Sequence, residues 1–191
     1  MQHVNLCVVL NYKGRGTEAI AECNKAIAIK PNHAETHNNL CVVLIHEGRY
    51  EEAVNECKKS ITLKPRYAEA YANLGIALDH KGQSDDAINQ YEMAIAIKSN
   101  YAEAHYNLAL AYDNKKQYDN VIDQYRKAIS IKRKFAEAHY NLGVHLFQKG
   151  PRPEAIAEFQ KAISLKPSYA EPHSSLCVDL YAPTQISQNG L

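Results

Sequence analysis

The feature that most limits how this chain can fold is an exact internal period. The heptapeptide "AEAHYNL" stands at residues 102 to 108 and again at 136 to 142, a step of 34. The same step, run in both directions from Leu108 and Leu142, meets Leu6, Leu40, Leu74 and Leu176. Ala19, Ala53, Ala87 and Ala155 form a second column, broken only by Val121, and Ile27, Ile61, Ile95, Ile129 and Ile163 form a third. A fixed period over a whole chain means a stack of like units, each burying its apolar face against its neighbours.

Each unit reads as two helices. In "AEAYANLGIALDHKG" the residues Tyr71, Leu74, Gly75 and Leu78 fall at i, i+3, i+4 and i+7, one face of a helix that Gly82 stops. "SDDAINQYEMAIAIK" does the same with Ala87, Ile88, Tyr91, Ala94 and Ile95, after a Ser84 placed to cap its first turn. The connections are too short for anything but an antiparallel pair. Glu35, Glu69, Glu103, Glu137 and Glu171 fall in first turns, and Lys30, Lys64, Lys98, Lys132 and Lys166 at last turns, each sign complementing the helix dipole.

The 191 residues are 46% hydrophobic with a net charge of +1, enough apolar surface for a core and no bias toward nucleic acid or a membrane surface. No stretch has the length of a membrane span, and "MQHVNLCVVLNYK" lacks the basic leader and cleavage site of a signal peptide. Five cysteines occupy packing columns. Cys7, Cys41 and Cys177 share the place of Gly75, Ala109 and Gly143, and Cys23 and Cys57 that of Tyr91, Tyr125 and Phe159. An odd number with no CxxC pair reads as buried free thiols in a reducing compartment, and the expected location is cytoplasmic.

The helix-turn-helix unit opening with "AEAHYNLG" and closing with "A-I-x-x-Y-x-K-A-I-x-I-K-P" resembles the tetratricopeptide repeat. The units are 1–33, 34–67, 68–101, 102–135 and 136–169, with a half unit over 170–182 and a tail over 183–191 expected to be disordered. The fourth unit departs most, with Lys116 for the turn glycine, Val121 for the tight alanine and Arg133 for the closing proline. The resemblance implies an all-α, right-handed superhelical solenoid of antiparallel hairpins, whose first helices line a channel that binds extended peptide segments of partner proteins.

Turning each first helix by 100° per residue away from its buried stripe gives the residues on that face. One column is Asn5, Asn39, Asn73, Asn107 and Asn141, followed by Ser175; beside it run Val8, Val42, Ile76, Leu110, Val144 and Val178. The aliphatic column fits an apolar groove or a seam between neighbouring first helices; both readings stand. Packed helices lie about 8 to 10 Å apart, and three residues of extended chain span about 10 Å, so each asparagine amide could hold one peptide bond in three. Alternatively the asparagines are solvated or buttress one another. This ladder is similar to that of the O-linked N-acetylglucosamine transferases, in which asparagines at this place hold the substrate backbone.

The chaperone-docking mode of the family needs basic residues on the channel wall, where this chain has Glu69, Ala72, Asn73, Glu103, Tyr106 and Asn107. The expected ligand is a protein or peptide, extended and neutral or basic. His46 and His80 face the same way and would make binding sensitive to pH between about 5 and 8. His3, His37, His105, His139 and His173 recur once per unit, too far apart to share a metal, and read as packing. Neither a phosphate loop nor a nucleophile motif is present, so the expectation is a non-catalytic module without cofactor or metal. Two alternatives stand beside it: the repeat array of a larger glycosyltransferase-like enzyme, and a scaffold whose copies associate head to tail through exposed apolar ends.

Overall fold

A computed structural model describes residues 2–150 and 152–167 of the chain. The half unit at 170–182, with His173, Ser175, Cys177 and Val178, and the tail at 183–191 lie outside the described residues. Within them the chain is all-helical, with no strand: α1 Gln2–Tyr12, α2 Gly16–Ile29, α3 Ala34–His46, α4 Tyr50–Leu63, α5 Ala68–His80, α6 Ser84–Ile97, α7 Ala102–Asn114, α8 Tyr118–Ile131, α9 Ala136–Lys149 and α10 Arg152–Leu165. No helix among the described residues is long and apolar enough to cross a membrane. The helices form hairpins in sequence order and fall into two compact units, Met1–Ile131 with α1 to α8 and Lys132–Leu191 with α9 and α10.

In the first unit the hairpin turns repeat one design. Gly14, Gly48 and Gly82 take φ of 69°, 72° and 75°, the left-handed region that a glycine enters without Cβ crowding. Each turn is closed by a backbone N–H reaching five residues back, Arg15 to Leu10 at 3.0 Å, Arg49 to Leu44 at 2.8 Å and Gln83 to Leu78 at 3.0 Å. The fourth turn has the same bond, Gln117 to Tyr112 at 3.0 Å, although Lys116 stands in the glycine's place with φ 59°. A second departure is also absorbed, since Val121 is fully buried like Ala19, Ala53 and Ala87. Ser84 is the first residue of α6 and does not cap it; Gln83 holds the cap position and makes no side-chain cap bond.

The terminal charges do more than complement dipoles. Lys64 bonds Glu35 at 2.7 Å, Lys98 bonds Glu69 at 3.1 Å and Lys166 bonds Glu137 at 3.2 Å, so each second helix is tied at its end to the start of its own first helix. The same lysines cover rings that precede the next first helix, Lys64 over Tyr67 at 4.3 Å and Lys98 over Tyr101 at 4.6 Å. These pairs are exposed, so they set hairpin registry more than stability.

The cysteine expectation is overturned. Cys7 is bonded to Cys23 and Cys41 to Cys57, with Cα atoms 5.3 and 5.4 Å apart. All four are fully buried, but as disulfides and not as free thiols. The physical reason is that their two columns face each other across the hairpin. In the third unit the same two places hold Gly75 and Tyr91, so close that a Cβ on Gly75 would stand 2.5 Å from the tyrosine ring. Gly143 and Phe159 repeat that contact in the second compact unit, at 2.8 Å. Two cysteines at such facing places are within bonding reach without any shift of backbone. Two buried disulfides do not fit the expected free thiols of a reducing compartment.

An apolar core runs through α1 to α7, from Cys7 and Leu10 to Leu108 and Ala111, with a smaller cluster of Ala72, Ala94 and Ala104 beside it. The leucine column sits within it, Leu40, Leu74 and Leu108 being 3 to 4% exposed, whereas Leu6 on α1 is 41% exposed and Val9 46%. Each disulfide closes a loop with a sequence separation of 16, which by chain entropy is worth about 3 kcal/mol. Hydrogen exchange followed with and without a reductant should therefore show faster exchange in α1 to α4 after reduction, with α5 to α8 changed less. Equal protection of α1 to α4 in both states, with free thiols confirmed by alkylation, would contradict this.

Candidate functional site

The expected site residues are carried on successive first helices, which adjoin one another in the order α1, α3, α5 and α7. Asn5 is exposed, and Asn39, Asn73 and Asn107 are half-buried, as are Val8, Val42, Ile76 and Leu110. Asn141 and Val144 are half-buried on α9, in the second compact unit. Ile76 packs partly on the core and partly lines an opening beside it.

That opening is a cavity of about 410 Å³ between α5 and α7, with Tyr91 of α6 behind it. It brings together four expected residues, Ile76, His80, Asn107 and Leu110, and adds Asp79 and Asn114. A larger cavity of about 680 Å³ lies elsewhere, between α2 and α4, lined by Ile27, His37, Lys58, Lys59 and Leu63. None of the expected residues faces it. Its size alone gives it no convergent polar chemistry, and Lys59 there is already held by Glu56 at 2.7 Å.

The asparagines are not equivalent. Asn73 donates its amide to Asn38 Oδ1 at 2.9 Å, and Asn38 donates to the Tyr67 hydroxyl at 3.5 Å, so Asn73 buttresses two neighbouring first helices. Asn107 lines the cavity. The two histidines differ too. His46 Nδ1 bonds Asn11 Oδ1 at 3.0 Å, and the exposed His80 ring stacks on Tyr50 with centroids 4.6 Å apart and planes 3° off parallel.

The other histidine column is structural. His37, His105 and His139 are buried, with Nδ1 bonded to Glu56 at 2.7 Å, Gln124 at 2.8 Å and Glu158 at 2.6 Å. Their Nε2 atoms bond the carbonyls of Pro31, Ser99 and Arg133, tying each first helix to its partner helix and to the loop before it. His3 bonds Glu22 at 2.6 Å in the same way. No group of three or more metal-ligating side chains occurs among the described residues.

Asp79 is the residue that the column analysis missed. The Tyr91 hydroxyl donates to its Oδ2 at 3.2 Å, while Oδ1 is sealed from water with no hydrogen-bond partner. Burial pushes the Asp79 carboxyl above the usual aspartate range; the Tyr91 and Ser84 side chains and nearby His80 pull the other way without cancelling it. Burial raises the Tyr91 phenol as well, which keeps it a donor. The place is irregular along the chain, occupied by Asn11, Ile45, Asp79, Asp113 and Phe147 in turn. A search for unbroken columns passes over it.

Stacked helix hairpins with a shared face of first helices define a helical repeat protein. The chain belongs to the tetratricopeptide-repeat family. Models described as "Tetratricopeptide repeat" match residues 32–100 and 136–169, and one described as "TPR repeat" matches 114–150. Among solved structures, a crystal structure of MamA is 34% identical, covering 84% of this chain and 94% of that one with a TM-score of 0.72. MamA from Desulfovibrio magneticus RS-1 is 25% identical, covering 89% and 96% with a TM-score of 0.73. YrrB, described as a TPR protein with an unusual peptide-binding site, is 22% identical with a TM-score of 0.65, covering 87% and 86%, and shows the fold alone. No curated protein matches the sequence significantly.

The raised Asp79 sets a sign for stability. A carboxyl harder to ionise in the folded chain destabilises the fold at any pH where it must carry charge, and stops doing so once pH falls below its unfolded value of about 3.9. Asp79→Asn should accordingly raise the melting temperature at pH 7, by a margin that shrinks as pH falls toward 4. A variant less stable than the parent at pH 7 would show that the charge is compensated in the free protein.

Proposed function

We propose that the chain is a non-catalytic protein-interaction module that holds an extended segment of a partner protein against its successive first helices. The observation that carries this reading is the cavity between α5 and α7, where Asn107, Ile76, Leu110 and His80 converge. An asparagine amide donates to and accepts from a peptide bond, while the two aliphatic side chains offer apolar contact on either side. Asn39 on α3 supplies a further half-buried amide two hairpins from Asn107, and Asn73 braces the intervening α5 against α3 through Asn38. The likeness to asparagine ladders of glycosyltransferase repeat arrays supports the same use of the face, whether the chain acts alone or recruits substrates for a larger enzyme. The two disulfides support residence in an oxidising compartment rather than the cytoplasm.

The test is a pull-down that compares three forms of the full chain: the parent, Asn107→Ala with Leu110→Ala, and Lys58→Ala with Lys59→Ala on the α4 side. Partners lost from the first variant and kept by the second are expected. Partners lost only from the α4 variant would move the binding site to the larger cavity.

The exposure of the apolar Leu6 and Val9 on α1, 41% and 46%, favours a second reading, association of copies of the chain through that surface. Light scattering over a concentration series should then show a mass that grows with concentration and ceases to grow in Val9→Asp. A constant monomer mass would dismiss that reading.

A further inference from the structure

We propose that the cavity between α5 and α7 takes one basic side chain of the partner segment, an arginine guanidinium or a lysine ammonium, against the carboxylate of Asp79. The inference deepens the reading above and depends on it.

The Asp79 carboxylate is half-buried, with one oxygen sealed from water, and no lysine or arginine of the chain is paired with it among the described residues. Its Oδ1 has no hydrogen bond, while the Tyr91 and Ser84 side chains and the neighbouring His80 act on the carboxyl without meeting that oxygen. A partly buried charge in this state is costly, and an unmet acceptor lining a cavity marks where a donor from outside is worth most. The chain's own cations nearby are engaged elsewhere. Lys81, which follows α5, is paired with Glu51, and Lys115, which follows α7, is paired with Asp85.

The rest of the lining fits a long cationic side chain. Ile76 and Leu110 are apolar walls against which the methylene stem of an arginine or lysine can lie. The amide oxygens of Asn107 and Asn114 can accept the N–H groups that a single carboxylate leaves over, and a guanidinium has five. Rotation about χ2 of an aspartate is soft, so the sealed oxygen can turn toward an incoming donor while the other keeps Tyr91. His80, stacked on Tyr50, stands as a flat rim. A neutral ligand side chain would fill the apolar part and leave Oδ1 as it is.

The equivalent places in the first two hairpins cannot do this. One is Ile45, and the other is Asn11, whose oxygen is already bonded to His46 at 3.0 Å. The fourth hairpin carries Asp113 at this place, so the cavity between α5 and α7 adds a charge-reading position at Asp79 to a ligand that the asparagines grip without regard to sequence.

The experiment is to pan a displayed library of random 12-residue peptides on the intact, oxidised chain and on Asp79→Asn, whose fold is checked by circular dichroism. Selected peptides are then synthesised with the conserved residue and with norleucine in its place. The expected result is a fixed arginine or lysine among peptides selected by the parent, and an affinity loss of about tenfold or more when norleucine replaces it. Against Asp79→Asn that difference should shrink to about twofold or less, while the norleucine peptide binds both proteins alike. Selected peptides without a fixed basic residue, or a basic preference that survives in Asp79→Asn, would overturn this inference and leave the channel reading standing. No selected peptide at all, or peptides indifferent to Asn107→Ala with Leu110→Ala, would overturn both.

Discussion

The first three hairpins depend on how closely their two helices approach, and that distance is set at one pair of facing places 16 residues apart. A glycine against an aromatic ring fills the gap at Gly75 and Tyr91, with no room for another carbon. A covalent bond fills it at Cys7 and Cys23 and at Cys41 and Cys57. These are two solutions of one packing problem, since a buried tyrosine and a disulfide both exclude water and fix the helix pair. The close approach in turn lets the alanine columns bury completely and lets each first helix meet the next.

The choice between the two solutions reaches the face on which ligands are proposed to lie. A disulfide ends at its sulfur atoms, but a tyrosine carries a hydroxyl beyond its ring. At Tyr91 that hydroxyl crosses to the first helix and meets Asp79, so a polar group is drawn into a cavity that would otherwise be apolar. In the second hairpin, which is disulfide-bonded, the place of Asp79 is taken by Ile45. Hairpin packing and the chemistry of the first-helix face are thus coupled through a single position on the second helix.

The architecture was legible in the sequence because it repeats. Period, hairpin boundaries, buried leucine and alanine columns and the resemblance to the tetratricopeptide repeat all follow from residues that recur every 34 positions. The disulfides were legible in principle, since Cys7 and Cys23 and also Cys41 and Cys57 stand 16 apart in columns that face each other, but counting cysteines and seeking a CxxC motif discards that information. The lysine to glutamate ties were hidden by a separation of 29 residues. Asp79 was hidden because its column is irregular, and its significance comes from burial and an unmet oxygen, neither of which a sequence displays. Of the expected site residues, Ile76, His80, Asn107 and Leu110 share a cavity, while Asn73 has an internal role that only the bond to Asn38 reveals.

A crystal structure of the oxidised chain with one selected 12-residue peptide would show whether successive first helices form the binding face. An extended peptide should lie across α3, α5 and α7, with its main chain hydrogen-bonded to Asn107. A peptide seated between α2 and α4, over Lys58 and Leu63, would contradict it.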